Sequence, residues 1–209
     1  KRYPDFAELF RTETKMILPI RAFGDAVLRK NCHNIDKDYP ELNELIQNMY
    51  ETMESANGIG LAAPQIGLDI RLFVVDLSPL AEDEDYADIV EELKDFRKVF
   101  INAQILEESG EEWKFNEGCL SIPDIREDVK RKETIVIEYY DENFVKHTDT
   151  FSDMRARVIQ HEYDHIEGIL FTDRISSLKK QLIKKKLQNI MEGKTRPDYK
   201  MKFIAKKGR

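Results

Sequence analysis

Apolar residues recur at helical spacing in two parts of the chain. In the first part, five of them lie three or four positions apart: Leu42, Leu45, Ile46, Met49 and Met53. Pro40 precedes this run, and Asn57-Gly58 follows it as a stop signal. The pattern predicts an amphipathic helix between Pro40 and Asn57. A second long helix is predicted over 176–192, near the C-terminus.

Four segments between these helices are rich in β-branched and aromatic residues, which favour strands. They are 71–77, 98–106, 133–141 and 146–151, and Asp-Glu-Asn at 141–143 predicts a turn between the last two. Residues 78–97 interrupt this region with a strongly acidic segment. We expect this segment to lie at the surface rather than to bind a metal. A calcium-binding loop needs spaced carboxylates and a glycine at its turn, and this segment has no glycine.

One further helix is predicted over 153–171, with apolar residues on two opposite faces. One face carries Met154, Val158, His161 and His165. The other carries Ile159, Tyr163, Ile166 and Leu170. Because a helix that is apolar on both sides lies between two layers, the pattern predicts an α+β fold. In that fold, antiparallel sheets pack around the central helix 153–171, with an N-terminal and a C-terminal helix beside them.

Length and composition indicate one domain in a reducing compartment. The 209 residues suffice for a single sizeable core. The longest apolar runs, such as 72–77, are strand-sized, and no secretory signal is recognisable, so we expect a cytosolic protein. Cys32 and Cys119 are the two cysteines, which are too few for a disulfide framework.

Charge is unevenly distributed along the chain. The net charge is -7, yet the segment from Arg174 to the end has 13 Lys and Arg against Glu192 and Asp198. A basic tail on an acidic body fits either a solvated helix face or a contact with an anionic partner such as RNA. No recognised RNA-binding module is present, so sequence-specific binding of nucleic acid is not expected.

The central helix carries a motif that is typical of metal sites. His161, Glu162 and His165 form HExxH, in which two imidazoles one turn apart direct ring nitrogens at a single ion. A lone histidine on such a face is more often a core residue, but the pair with its adjacent glutamate favours metal binding. Two nitrogen ligands are too few for a catalytic site, so a third must come from elsewhere.

Three positions compete as the third ligand. The extended protease motif HExxHxxGxxH is matched as far as Gly168, but Phe171 takes its last position and cannot ligate. Glu192 is the only glutamate after Gly168, and it lies among lysines. Cys119 offers a thiolate, a strong ligand for iron, zinc or cobalt, although a free cysteine alone is more often a small buried apolar residue.

Three motifs together resemble the signatures of the peptide deformylases, which remove the formyl group from the N-terminal methionine of new bacterial and organellar proteins. They are GIGLAAPQIG at 58–67, EGCLS at 117–121 and QHEYDH at 160–165. The motifs occur in this order, and each matches over its whole length. The resemblance covers about residues 16–192. It implies a single catalytic domain over 16–193, preceded by an extension or tag at 1–15 and followed by a basic tail at 194–209.

The resemblance implies a metal site and a mechanism. Three residues are implied as ligands of one divalent metal ion: Cys119, His161 and His165. In this family the ion is usually Fe(2+), and Zn(2+), Ni(2+) or Co(2+) can take the same ligands. Metal-bound hydroxide is then implied to attack the formyl carbon, with Glu162 as general base and acid. The Gln65 amide and the Leu120 backbone N–H are implied to stabilise the tetrahedral intermediate.

The resemblance also implies the substrate contacts. An apolar slot for the methionine side chain is implied for Ile59, Phe115, Met154 and Val158. The backbone around Gly60 and Gly118 is implied to pair with the peptide as an added strand. Arg126 matches a family arginine near the peptide path. Arg157 departs from the expectation of a small or apolar residue in the slot.

The implied partners are N-formylmethionyl peptides in the bacterial cytoplasm, and no membrane. The basic helix 176–192 resembles the terminal helix by which some family members dock on the ribosome. Two other functions compete with this interpretation. A zinc endopeptidase would need a different third ligand, and a non-enzymatic relative that binds N-termini would normally lack a ligand or the base, none of which is missing here.

Overall fold

The computed structural model of the protein describes residues 16–204, so the predicted extension at 1–15 lies outside the described residues. Seven strands are present in this range: β1 (Ile20–Arg21), β2 (Gly60–Ala62), β3 (Leu72–Asp76), β4 (Arg97–Cys119), β5 (Ile122–Tyr140), β6 (Lys146–Ser152) and β7 (Met201–Lys202). β2 to β6 form one antiparallel sheet in the order β2-β3-β4-β5-β6, so that β2 is an edge strand.

The four predicted strands are confirmed, but two of them are longer than predicted. β4 and β5 form a long hairpin, in which Cys119 pairs with Ile122 across a turn at Leu120 and Ser121. Ile135, Ile137 and Tyr139 alternate into the core along β5, as expected for a half-buried strand. The extra residues of the hairpin are largely polar, and their sequence carries no apolar alternation that would predict a strand.

Within residues 16–204, four α-helices accompany the sheet: α1 (Leu42–Ser55), α2 (Val90–Leu93), α3 (Asp153–Ile166) and α4 (Ser177–Met191). The predicted helices near 42–55 and 176–192 are confirmed as α1 and α4. The prediction of a central helix as far as residue 171 was wrong, because α3 ends at Ile166. Gly168 adopts φ +72, a left-handed conformation that ends helices, and Leu170 is buried in the segment beyond.

α3 packs against the main sheet in the larger core of the molecule. Met154, Val158 and Ile159 of this helix belong to one apolar cluster with Phe73 and Phe100 of the sheet. The α+β class is therefore confirmed, with an antiparallel sheet and the HExxH helix at the centre. Within residues 16–204, no helix combines the length and apolar character needed to cross a membrane.

The acidic segment 78–97 is more than a surface excursion, which corrects the prediction for this region. It forms two short 3-10 turns and α2, and it buries Leu93 and Phe96 in the main core. Leu80 and Tyr86 pack against the same core from the outside. The apolar residues of the segment thus hold it against the body, while its carboxylates remain at the surface.

The chain after α4 returns to the body of the fold. β7 pairs in parallel with β1, with Ile20 opposite Met201. Tyr199 and Met201 pack against the apolar cluster around α1 and β2, and Phe203 packs against the cluster beneath α4. Composition alone did not indicate these contacts, because the segment is polar and basic.

Candidate metal centre and active site

Two elements bring together three side chains that could hold a metal ion. Cys119 ends β4, while His161 and His165 lie one turn apart on α3. One ligand atom from each of the three residues lies within 4.8 Å of the others, and Cys119 Sγ is 3.3 Å from His165 Nε2. A thiolate with two imidazoles is a donor set for a transition metal such as iron or zinc.

A buried carboxylate orients the first histidine. His161 Nδ1 lies 2.9 Å from Glu117 Oε2, which leaves Nε2 to face the other ligands. Glu117 also accepts hydrogen bonds from Arg131 at 2.7 and 3.0 Å and from Arg157 at 3.0 Å. Burial alone would raise the pKa of Glu117, but the bonds from His161 and Arg131 hold it well below its usual range. Glu117 is therefore an ionised partner of His161, and a carboxylate in this position is typical of histidines that bind metals, since it fixes the ring.

Arg157 is the residue that departed from the expected pocket lining, and the structure gives a physical reason for its presence. Its side chain is 2% exposed, and it donates to the Trp113 carbonyl at 2.7 Å as well as to Glu117. Its guanidinium carbon lies 4.1 Å from the centre of the Trp113 ring. Arg157 thus neutralises Glu117 and packs on Trp113, whose ring contacts Phe115 in the wall of the cleft.

Glu162 follows His161 on α3 and is buried at the edge of the cleft. Its side chain is buried, and among residues 16–204 its Oε2 has no hydrogen-bond partner. Burial raises the pKa of Glu162 to about 7. A carboxyl group with a pKa near neutrality is suited to accept a proton and release it again. A Cβ at Gly60 would lie 2.4 Å from Glu162 Oε1, so only glycine leaves room for this carboxylate.

Gln65 and the turn after Cys119 form the opposite side of the site. Gln65 is buried, and its Oε1 accepts a hydrogen bond from the Ala62 N–H at 2.8 Å. That bond directs Nε2 towards Cys119 Sγ at 3.5 Å and Ser121 Oγ at 3.4 Å. Leu120 lies between these two residues in the chain. The side-chain amide of Gln65 and the backbone of the turn are therefore both adjacent to the Cys119 sulfur.

A cleft of about 610 Å³ opens onto this group of residues. All six residues predicted to contact substrate line it: Ile59, Gly60, Phe115, Gly118, Met154 and Val158. Gln65, Cys119, Leu120, His161 and Glu162 also line the cleft. His165, the remaining predicted ligand, is buried behind them. Arg126 lies at the wall of the cleft, where it donates to the Asn116 carbonyl and side chain.

The sequence did not predict several residues of the site and its support, including the following four. Leu80 and Tyr86 of the acidic segment line the cleft, and Glu117 and Arg131 hold His161. Glu117 is the first residue of the motif EGCLS, which could have identified it. Arg131 lies in a polar stretch of β5 and gives no comparable signal. Leu80 and Tyr86 reach the cleft only through the tertiary packing of their segment.

Comparisons with known proteins agree with this geometry. The family model for polypeptide deformylase matches residues 17–181. The peptide deformylase of Flavobacterium psychrophilum is 64% identical over 193 residues, which cover 92% of this chain and 100% of the relative. The peptide deformylase of Christiangramia forsetii is 63% identical over 196 residues, which cover 93% of this chain and 100% of the relative.

Solved structures that resemble this chain are also peptide deformylases. The crystal structure of a peptide deformylase from Legionella pneumophila aligns with a TM-score of 0.73 at 33% identity, covering 87% of this chain and 99% of that one. The peptide deformylase from Thermotoga maritima aligns with a TM-score of 0.67 at 36% identity, covering 77% and 99%.

Proposed function

Because the chain belongs to the peptide deformylase family of metal-dependent enzymes, which remove the N-formyl group from nascent peptides, we propose how its residues perform that reaction. Cys119, His161 and His165 hold one divalent metal ion at the base of the cleft. The observation that carries this proposal is the convergence of their three ligand atoms within 4.8 Å beside a buried carboxylate. The orientation of His161 by Glu117 supports it.

The donor set fits a metal better than a purely structural cluster. Glu162 Oε2 is buried without a partner in the described part of the chain, which is costly unless a ligand or a water molecule completes the site. When bound, the metal would act as a Lewis acid that favours ionisation of water and polarises the formyl oxygen. We propose Fe(2+) as the ion, with Zn(2+), Ni(2+) and Co(2+) as substitutes that the same ligands accept.

Glu162 moves the proton in this reaction. Its carboxylate takes a proton from the attacking water and then delivers it to the departing amine, which the pKa of about 7 allows in both directions. The tetrahedral intermediate carries negative charge on the former formyl oxygen. Gln65 Nε2 and the Leu120 N–H donate hydrogen bonds to that oxygen.

The cleft selects the substrate by shape. Ile59, Phe115, Met154 and Val158 form the apolar slot for the methionine side chain, and Leu80 and Tyr86 add a wall from the acidic segment. Because β2 is an edge strand, its backbone at Gly60 is free to pair with an extended peptide, with Gly118 on the other side. Such pairing reads the backbone of the peptide rather than its later side chains.

The metal site is tested by replacing the two cysteines in turn. We expect Co(2+)-loaded wild type and the matched control Cys32→Ser to show a thiolate-to-cobalt charge-transfer band, since Cys32 is buried away from the cleft. Cys119→Ser should lose the band and bind the metal more weakly. A band that persists in Cys119→Ser would show that Cys119 is not a ligand.

We also propose that α4 contacts the ribosome, which would place the enzyme beside emerging chains in the bacterial cytoplasm. α4 exposes Leu178 and Leu182 by 66% and 72%, next to the exposed lysines 184–186. Sedimentation with ribosomes should be lost when Lys184, Lys185 and Lys186 are changed to glutamate. The same change at three other exposed lysines, Lys37, Lys114 and Lys130, is the control, and equal loss in both variants would refute a specific site on α4.

A further inference from the structure

The C-terminal segment reaches the turn that follows the thiolate ligand. The Tyr199 hydroxyl donates a hydrogen bond of 2.7 Å to the carbonyl of Leu120. Burial raises the pKa of Tyr199, so its hydroxyl stays protonated and donating at neutral pH. β7 follows directly and anchors this segment, since Ile20 N–H donates to the Lys200 carbonyl at 2.9 Å and Ala22 N–H donates to the Lys202 carbonyl at 3.0 Å.

Contacts on several sides hold the two-residue turn at Leu120 and Ser121. The Ser121 carbonyl accepts from the Phe23 N–H at 2.8 Å, and the Ser121 hydroxyl lies 3.4 Å from Gln65 Nε2. The Leu120 side chain is so close to Gly58 that a Cβ there would lie 2.8 Å from Leu120 Cδ1. Tyr199 completes this set by holding the remaining carbonyl of the turn.

We propose that Tyr199 is a positioning residue that acts on the reaction through Leu120. Two dihedral angles separate the N–H and the carbonyl of one residue. Holding the Leu120 carbonyl and side chain therefore narrows the range of directions open to its N–H, which donates to the intermediate in the mechanism proposed above. The inference rests on that proposed function, and it assigns a catalytic contribution to a segment that the sequence indicated only as a basic tail.

The positioning role is assigned to the hydroxyl of Tyr199 and not to its ring. The ring packs against the apolar cluster that also receives Leu120 and Met201, so a purely structural role would reside mainly in the ring. Tyr199→Phe keeps the ring and removes the hydrogen bond. Tyr139→Phe is the matched control, because it removes a hydrogen bond of the same 2.7 Å length, to Asp149, from a tyrosine that does not line the cleft.

Steady-state kinetics on formyl-Met-Ala-Ser provide the first test. A misdirected donor weakens only the transition state, so we expect Tyr199→Phe to lower kcat by about tenfold, less than the loss of a whole donor. KM should stay within twofold, and the metal content should remain that of wild type. Tyr139→Phe should lower the melting temperature and leave kcat unchanged. A kcat within twofold of wild type in Tyr199→Phe, or an equal fall in Tyr139→Phe, would overturn the proposal.

Amide hydrogen exchange of the zinc-loaded protein provides a test that does not depend on turnover. The Leu120 and Ser121 amides should exchange faster in Tyr199→Phe than in wild type, and Tyr139→Phe should leave them unchanged. Unchanged exchange in Tyr199→Phe would also overturn the proposal. If wild type releases no formate, the proposed mechanism fails, and exchange still decides whether Tyr199 holds the turn.

Discussion

At the residue scale, the pKa values of two buried glutamates shift in opposite directions, and we propose opposite roles for the two residues. Glu117 faces Arg131, Arg157 and His161, which keep it ionised as the fixed partner of a ligand histidine. Glu162 is also buried, yet burial raises its pKa to about 7. The surroundings of each carboxylate, rather than its residue type, therefore decide whether it orients a ligand or transfers a proton.

Replacement of Glu162 by glutamine should separate proton transfer from metal binding. Gln has the size of Glu but cannot accept the proton, so we expect kcat to fall by about 10² to 10⁴-fold. Metal content should not change, because the three proposed ligands remain. Formate release and metal analysis measure both quantities, with Glu138→Gln as a control at a surface ion pair with Lys146. A variant that keeps more than a tenth of wild-type kcat would exclude Glu162 as the base.

A second residue-scale prediction concerns the pH dependence of stability. Burial alone would raise the pKa of Asp76, but hydrogen bonds from Ser78 and the Arg97 guanidinium lower it below its usual value. Because the folded-state pKa lies below the unfolded value of about 3.9, the stabilisation is present above about pH 5 and is lost as the pH falls through the folded pKa.

Asp76→Asn should accordingly lower the free energy of unfolding by about 1–3 kcal/mol at pH 7. The difference from wild type should shrink as the pH falls below about 4, because the unfolded chain then binds a proton at Asp76 and folding must release it, until the folded carboxylate is protonated as well. Urea unfolding from pH 3 to 8 measures it, and Asp88→Asn, at an exposed position of the acidic segment, is the control. A difference that stays constant down to pH 3 would contradict the assignment.

At the scale of secondary-structure elements, the proposed active site lies where β2, the β4–β5 turn and α3 meet. β2 supplies Gly60 and precedes Gln65, the hairpin supplies Cys119 and Leu120, and α3 supplies the HExxH residues. The close approach of α3 to β2 depends on the absence of a side chain at Gly60, since a Cβ there would overlap the Glu162 carboxylate. The position of the Glu162 carboxylate thus requires glycine at residue 60.

Gly60→Ala should therefore damage catalysis more than stability. The added Cβ would push Glu162 from its place, and we expect kcat/KM to fall by at least about tenfold, because small misplacements of catalytic groups are costly. Gly193→Ala is the control, since its φ of +67 makes the substitution strained while the position lies outside the cleft. That control should lose about 1–2 kcal/mol of stability and keep wild-type kcat/KM. Full activity in Gly60→Ala would show that Glu162 has more freedom than the structure indicates.

At the scale of the whole molecule, the sequence predicted the structure correctly where the pattern that indicates it is local. The periodicity of α1 and α4, the alternation in β5 and the three motifs predicted most elements and the residues around the cleft. It failed where tertiary contacts decide. The polar hairpin extension is ordered by strand pairing, Arg131 is buried by its two carboxylate partners, and the segment 78–97 reaches the cleft through Leu80 and Tyr86. None of these contacts has a local pattern.

At the scale of the whole molecule, we propose that the shape of the cleft limits the reaction to the formyl group. In that proposal the apolar slot holds the methionine side chain, and Cys119, His161 and His165 hold the metal beside it. Acetyl is larger than formyl by one methyl group, and a tight wall excludes such an addition at a cost of about 1–3 kcal/mol. Phe171, at the position where the extended protease motif needs a ligand, is buried 6.2 Å from the centre of the His161 ring. The third ligand proposed here is therefore Cys119.

Release of formate from formyl-Met-Ala-Ser by protein prepared anaerobically with iron tests the account most directly. Acetyl-Met-Ala-Ser is measured beside it, and the products are separated by chromatography. We predict that formate and intact Met-Ala-Ser are formed from the first peptide, and that the acetylated peptide reacts at least about tenfold more slowly. No formate from the metal-loaded protein, or cleavage of the bonds between Met, Ala and Ser, would contradict the account.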